Sequence, residues 1–144
     1  MIAIDTNILV YAHREDSPWH EQAVIHLTAL ANSGEPWAIP WPCVHEFIAI
    51  TTHPRIYQPP TPLDLALSTL TSWQQSPALR LLGEGPGYFD TLVTLSRAGK
   101  VKGSKIHDAR IAALCIHHGV RLLWSADRDF SAFPTLRCSN PLAE

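Results

Sequence analysis

The chain has 144 residues, of which 46% are hydrophobic and 17% charged, enough for one compact domain over 1–144 and too apolar for a disordered chain. A net charge of −2 excludes a protein that is basic all over. No apolar run approaches the roughly 20 residues that cross a bilayer, and Met1-Ile2-Ala3-Ile4-Asp5 lacks a secretory leader, so a cytoplasmic, membrane-free setting is expected.

Ile2-Ala3-Ile4 is a branched apolar run ended by Asp5-Thr6-Asn7, which reads as a short buried strand. From Ser17-Pro18, the spacing of Ala23, Val24, Leu27, Leu30 and Ala31 predicts a helix stopped by Gly34, with Ser17 as its cap. Trp37-Ala38-Ile39 is a second strand. Pro40 and Pro42 then introduce a helix through Val44, Phe47, Ile48 and Ile50, and the proline-rich stretch from Pro54 to Pro62 is a loop. A further helix is expected over Leu63–Gln75, a third strand at Leu79–Leu82, and a helix over Phe89–Ala98 closed by Gly99. Ser104 is read as the cap of a helix reaching His118. Val120–Trp124 and Leu136–Cys138 supply a fourth strand and a fifth. Short apolar strands alternating with amphipathic helices predict an α/β fold, a central parallel sheet of four to five strands covered by helices on both faces.

The carboxylates fall in a pattern. Asp5 follows the first strand, Asp127 and Asp129 follow the fourth, and Glu46 and Asp108 lie early in helices that follow strands. All therefore belong to the carboxyl edge of the sheet, where ligands bind in such folds. Acids converging without matching cations repel, and a divalent ion resolves the repulsion. An all-oxygen set without His or Cys favours Mg2+ or Mn2+ over zinc. Such a site suits phosphodiester hydrolysis, in which the metal polarises a phosphoryl oxygen and activates water. The pattern leaves open one metal against two, and Asp127 against Asp129 as the fourth acid.

These segments resemble the PIN-domain toxins of VapC type. The matching stretches are Ile4-Asp5-Thr6-Asn7-Ile8-Leu9, Glu46-Phe47, Asp108 to Leu114, and Ser125-Ala126-Asp127-Arg128-Asp129-Phe130. Thr52-His53-Pro54-Arg55 and the closing Phe133-Pro134 to Asn140-Pro141-Leu142 extend the likeness over essentially the whole chain. The resemblance implies a three-layer PIN fold and a metal-dependent endoribonuclease, the toxin of a type II toxin–antitoxin pair. It implies an acidic quartet of Asp5, Glu46, Asp108 and Asp127 around the metal, with Asp5 and Asp108 foremost as direct ligands and Glu46 and Asp127 completing the site, directly or through water. Thr6, Asn7 and Ser125 then hydrogen-bond the acids, and Asp129 is held in reserve. Looped or single-stranded transfer or ribosomal RNA as substrate, a VapB-type antitoxin and a homodimer are also implied.

All three lysines, Lys100, Lys102 and Lys105, stand between Arg97 and Arg110 and run into Asp108. This basic segment is expected to hold RNA phosphates beside the metal, with affinity falling as salt rises. His107 reads as an exposed residue of the helix start. Trp19, Trp37, Trp41 and Trp73 are expected in the core or an interface, and Trp124, next to the acids, is set between core packing and base stacking. The three cysteines, Cys43, Cys115 and Cys138, are spaced for neither zinc nor disulfides and are expected to be buried thiols.

Two other readings compete. A non-catalytic PIN module for RNA binding or scaffolding would have lost acids, and none is lost here. A phospho-receiver domain needs an aspartate after its third strand and a late lysine; here Leu82-Gly83-Glu84 follows and no lysine comes after Lys105.

Overall fold

The structure, a computed structural model, describes residues 1–143. Its five strands are β1 (Ile2–Ile4), β2 (Trp37–Pro40), β3 (Leu79–Leu82), β4 (Leu122–Trp124) and β5 (Cys138–Ser139). All pair in parallel, in the order β3-β2-β1-β4-β5. The helices are α1 (Thr6–His13), α2 (His20–Ala31), α3 (Trp41–Thr51), α4 (Leu63–Gln74), α5 (Tyr88–Ala98) and α6 (Ile106–His117).

The chain moves outward from β1 to β2 to β3, then crosses back to β4 and β5. Right-handed crossovers in opposite directions place their helices on opposite faces. Accordingly, α1 packs on α2 and α3, and α3 on α4, whereas α5 packs on α6. The sheet is the apolar middle layer: Ala3, Ile4, Trp37, Ala38, Ile39 and Leu123 are at most 1% exposed. That two-sided burial explains why the strands are runs of apolar residues without alternation. The strand order β3-β2-β1-β4-β5 eliminates the phospho-receiver reading, whose sheet runs 2-1-3-4-5.

The reversal of strand order falls between β1 and β4, and ligands bind outside the carboxyl ends of strands at such a switch point. Here Asp5 N donates to the Trp124 carbonyl oxygen at 2.9 Å. This bond fixes the residue after β1 against the end of β4.

Local boundaries differ from the sequence reading in instructive ways. Helix α1 was not foreseen: Asp-Thr-Asn reads as a turn, and the branched residues Thr6, Ile8 and Val10 are poor helix formers. The Asp5 side chain accepts from Thr6 N and caps the helix, and burial of Ile8, Leu9 and Val10 supplies the rest. Ser17 does not cap α2; its Oγ accepts from Trp19 N and the helix starts later, at His20. Ser104 does not cap α6 either, because it lies in a 3-10 turn, Gly103–Lys105, whose last residue precedes the helix. The fifth strand is shifted to Cys138–Ser139.

Of the tryptophans expected in the core or an interface, Trp37 is fully buried and Trp73 partly so, while Trp19 is 48% and Trp41 40% exposed in the single chain and so lie outside its core. Each exposed indole lies against another ring, Tyr11 for Trp19 and His45 for Trp41. Cys43 and Cys115 are buried thiols, whereas Cys138 is exposed at the end strand. Among the described residues no helix is long and apolar enough to cross a membrane.

Candidate active site

Asp5 is the residue around which the rim is organised. As N-cap of α1 it ends β1 and starts the helix, and it is only 5% exposed. Thr6 N donates to its Oδ1 at 2.8 Å and Ser125 Oγ donates to its Oδ2 at 2.7 Å. Weaker contacts come from Asn7 Nδ2 at 3.5 Å and the Cys43 thiol at 3.6 Å. Every one of these donors is neutral. Burial raises the Asp5 pKa from 3.8 to about 6; the Ser125 and Thr6 hydrogen bonds pull it down, and the charge of Glu46 adds to the rise.

Glu46 reaches the same spot from α3. Its Oε2 accepts from Thr6 Oγ1 at 2.7 Å, so Thr6 serves both acids, the first through its amide and the second through its hydroxyl. The Cys43 thiol, three residues earlier on α3, fixes the first turn of that helix against Asp5. Cys43 was absent from the sequence-derived site; its i, i+3 spacing to Glu46 was the available signal. The stacked Trp41–His45 pair, with ring centroids 6.1 Å apart, flanks Glu46 on the exposed side of the same helix.

Ser125 and Asn7 connect this half to the next. Ser125 Oγ also accepts from Asp127 N at 2.9 Å, and Asn7 Oδ1 accepts from Ala126 N at 3.1 Å. Thr6, Asn7 and Ser125 therefore do hydrogen-bond the acids or the turn that carries them. Asp127 Oδ1 accepts from Asp129 N at 2.8 Å and caps the 3-10 turn Arg128–Ala132. Beside Ser125 and Asp127 opens a cleft of about 580 Å³, bounded also by Arg128, Phe133, Ser139 and Asn140.

Asp108 lies in the first turn of α6. Partial burial raises its pKa, Lys105 pulls it down, and the charges of Asp127 and Asp129 push it up again. Lys105 Nζ lies 3.4 Å from Asp108 Oδ2. Among the described residues, no three His, Cys, Asp or Glu side chains converge closely enough to hold a metal by themselves.

The residues of the basic segment differ in their surroundings. Arg97, Lys100 and Lys102 are exposed and form no hydrogen bond or ion pair with the acids among the described residues. Arg110 is partly buried, with its Nε unpartnered, and its charge acts on Tyr88. Lys105 is the one of the five that contacts the acids, at Asp108 and Asp129. His107 is exposed, as expected, and Trp124 is half-buried with its ring edge-on to His26.

The PIN domain family pattern matches residues 2–136. Ribonuclease VapC43 of Mycobacterium tuberculosis is 33% identical over 142 residues, 99% of this chain and 96% of that one. Ribonuclease VapC48 of the same organism is 29% identical over 140 residues, 96% of each chain. Among solved structures, a chain of VapBC2 from Rickettsia felis, bound to a DNA fragment from its promoter, superposes with a TM-score of 0.69 at 20% identity. That match covers 97% of this chain and 98% of that one. The sarcin–ricin-loop-cleaving toxin VapC20 of Mycobacterium tuberculosis gives 0.65 at 16% identity, covering 92% and 94%.

Proposed function

The chain belongs to the PIN-domain family and, within it, to the VapC ribonucleases, and from that premise we propose that it is a Mg2+- or Mn2+-dependent endoribonuclease, the toxin of a VapB–VapC pair. Asp5, Glu46, Asp108 and Asp127 form its acidic site. Looped transfer or ribosomal RNA is the substrate class, a VapB-type antitoxin the inhibitor, a homodimer the working form and the cytoplasm the setting.

One observation carries the reading. Asp5 is a buried carboxylate held in place by four neutral donors, with a second carboxylate joined to it through Thr6. No lysine or arginine pairs with either acid among the described residues. Such a pair is unfavourable by itself and becomes favourable with a hard cation between or beside its oxygens. The donor set fits magnesium, which uses one or two carboxylates and fills its remaining positions with water and phosphate. It does not fit a closed structural zinc cage.

When bound, the cation polarises the scissile phosphoryl group and lowers the pKa of its water. The protein's own residues do the remaining work. Thr6 N and Ser125 Oγ fix the Asp5 carboxylate so that no reorganisation is needed during the reaction. Thr6 Oγ1 holds one oxygen of Glu46 and leaves the other to accept a proton from the attacking water. Asp127, fixed by the turn it caps, orients water from the β4 side. Water attack leaves 5′-phosphate and 3′-hydroxyl ends.

The test is cleavage of RNA by wild type and Asp5→Asn with and without Mg2+. Wild type with Mg2+ is expected to cut, and Asp5→Asn to lose about a thousandfold or more. Equal cleavage by the two proteins, cleavage by neither, or 2′,3′-cyclic phosphate ends overturns the assignment.

A further inference from the structure

Trp19 is an aromatic residue that neither the core nor the acidic site accounts for. It is 48% exposed, and as N-cap of α2 its side chain makes no capping hydrogen bond. The indole is nevertheless held in place. Its ring centroid lies 4.9 Å from that of Tyr11, at an interplanar angle of 41°. The next residue, His20, bonds the Tyr11 carbonyl oxygen through Nδ1 at 2.9 Å, which ties the start of α2 to α1.

This pair borders a second cleft, of about 290 Å³, bounded also by Ala126, Asn140 and Leu142. Its place relative to the acids follows from α1. Tyr11 lies four residues after Asn7 and so one turn, about 5.4 Å, along the same helix face. Asn7 Oδ1 accepts from Ala126 N at 3.1 Å, and its Nδ2 lies 3.5 Å from Asp5 Oδ2. Ala126 stands between Ser125, which donates to Asp5, and Asp127. The cleft therefore adjoins the acidic rim.

No charged side chain lines it. Asn140 Oδ1 accepts from Leu142 N at 3.0 Å, which fixes the carboxamide and leaves its Nδ2 donors without a partner among the described residues. Small, uncharged, aromatic on one side and hydrogen-bonding on another, the cleft fits a flat heteroaromatic ring better than a phosphate group or a peptide segment.

We propose that this cleft is the subsite for one nucleobase beside the cut in single-stranded RNA, stacked on Trp19 and read at its edge by the Asn140 amide. Stacking on aromatic side chains and hydrogen bonding to an unpaired edge are how single-stranded RNA is selected. A base must be unpaired to enter, so the subsite favours looped over duplex RNA. Trp19 and Asn140 hold this base and set which bond reaches the acids. The inference rests on the ribonuclease reading given above and fails separately from it.

The experiment compares Mg2+-dependent cleavage of one single-stranded RNA oligomer with copies in which each nucleotide around the mapped cut in turn lacks its base. Wild type is expected to lose about 10- to 100-fold in kcat/KM when one particular base is missing. Trp19→Ala should lose as much on intact RNA and nothing further on that abasic copy, whereas Trp19→Phe should keep most of the wild-type rate. Asn140→Asp keeps the acceptor for Leu142 N but removes the donors, and should change the base preference at that position alone. A wild type indifferent to every missing base, or a Trp19→Ala chain that still responds to that one, overturns the subsite and leaves the ribonuclease reading standing. So does a Trp19→Ala chain slowed equally on all copies and altered in oligomeric state, which assigns the indole to an interface with a second chain. If wild type cuts no oligomer, the ribonuclease reading falls and binding decides the subsite. Nucleoside monophosphates added to the metal-free chain should then shift the NMR signals of the Trp19 indole N–H and the Asn140 amide together, and unmoved signals overturn it.

Discussion

Asp5 and Asp129 lie on the same rim, but the first is 5% exposed and the second has a side chain 64% exposed. Around Asp5 the protein supplies hydrogen bonds and no charge. Around Asp108 and Asp129 it supplies an ammonium group and a large share of water. The difference lies in what faces each acid: the outer carboxylates share one cation from within the chain, and the inner one has none. The inner half is therefore where an external cation has most to gain.

Replacing Asp5 breaks that contrast most severely. Its folded pKa of about 6 lies above 3.8, so the folded chain holds the proton more tightly than the unfolded chain. The corresponding stability is fully present below 3.8 and is lost as pH rises through 6. By pH 7 the ionised carboxylate costs on the order of 3 kcal/mol. Metal-free Asp5→Asn, which keeps an N-cap side chain, should be more stable than wild type by up to that amount at pH 7, with the gain gone by about pH 4. Urea unfolding across pH measures it; a wild type more stable than the variant at pH 7 without metal would contradict the account.

Ser125→Ala tests the neutral wiring. It removes the donor of the 2.7 Å bond to Asp5 Oδ2 and the acceptor for Asp127 N. The expected cost is about 1.5–3 kcal/mol at pH 7, and the Asp5 pKa should rise further. Thr6→Val keeps the helix amide and shape but strips Glu46 of its hydroxyl partner. About 0.5–1.5 kcal/mol of stability should be lost, with a larger proportional loss of Mn2+ affinity. The outer half sets the lower limit of the series: Asp129→Asn should change stability by less than about 1 kcal/mol, because its carboxylate is only 4.0 Å from Lys105 at an exposed position. A cost comparable to that of Ser125→Ala would erase the distinction between the halves.

The sequence made the acids legible because strand ends and helix starts are readable from apolar runs and their stops. Asp5, Glu46, Asp108 and Asp127 were placed on one edge by that reasoning, and the switch point between β1 and β4 follows from the strand order. Helix α1 was hidden because Thr6, Ile8 and Val10 resist a helix in isolation, and burial of its apolar side chains overrides propensity. The Lys105 contact was hidden for a different reason. Five basic residues stand close in sequence, and only the 3-10 turn with its left-handed glycine shows that Lys105 lies against Asp108 and Asp129. By type, Trp41 left core and interface open; the helix register, which places it on the exposed side of α3, takes it out of the core.

The central claim is that a divalent cation completes the environment of a buried carboxylate. Its most direct test is an NMR titration of the Asp5 side-chain carboxyl, with and without saturating Mg2+. Without metal the midpoint is expected near 6, and with metal below the ordinary 3.8. A metal-free midpoint at 3.8, or one that Mg2+ does not move, would contradict it.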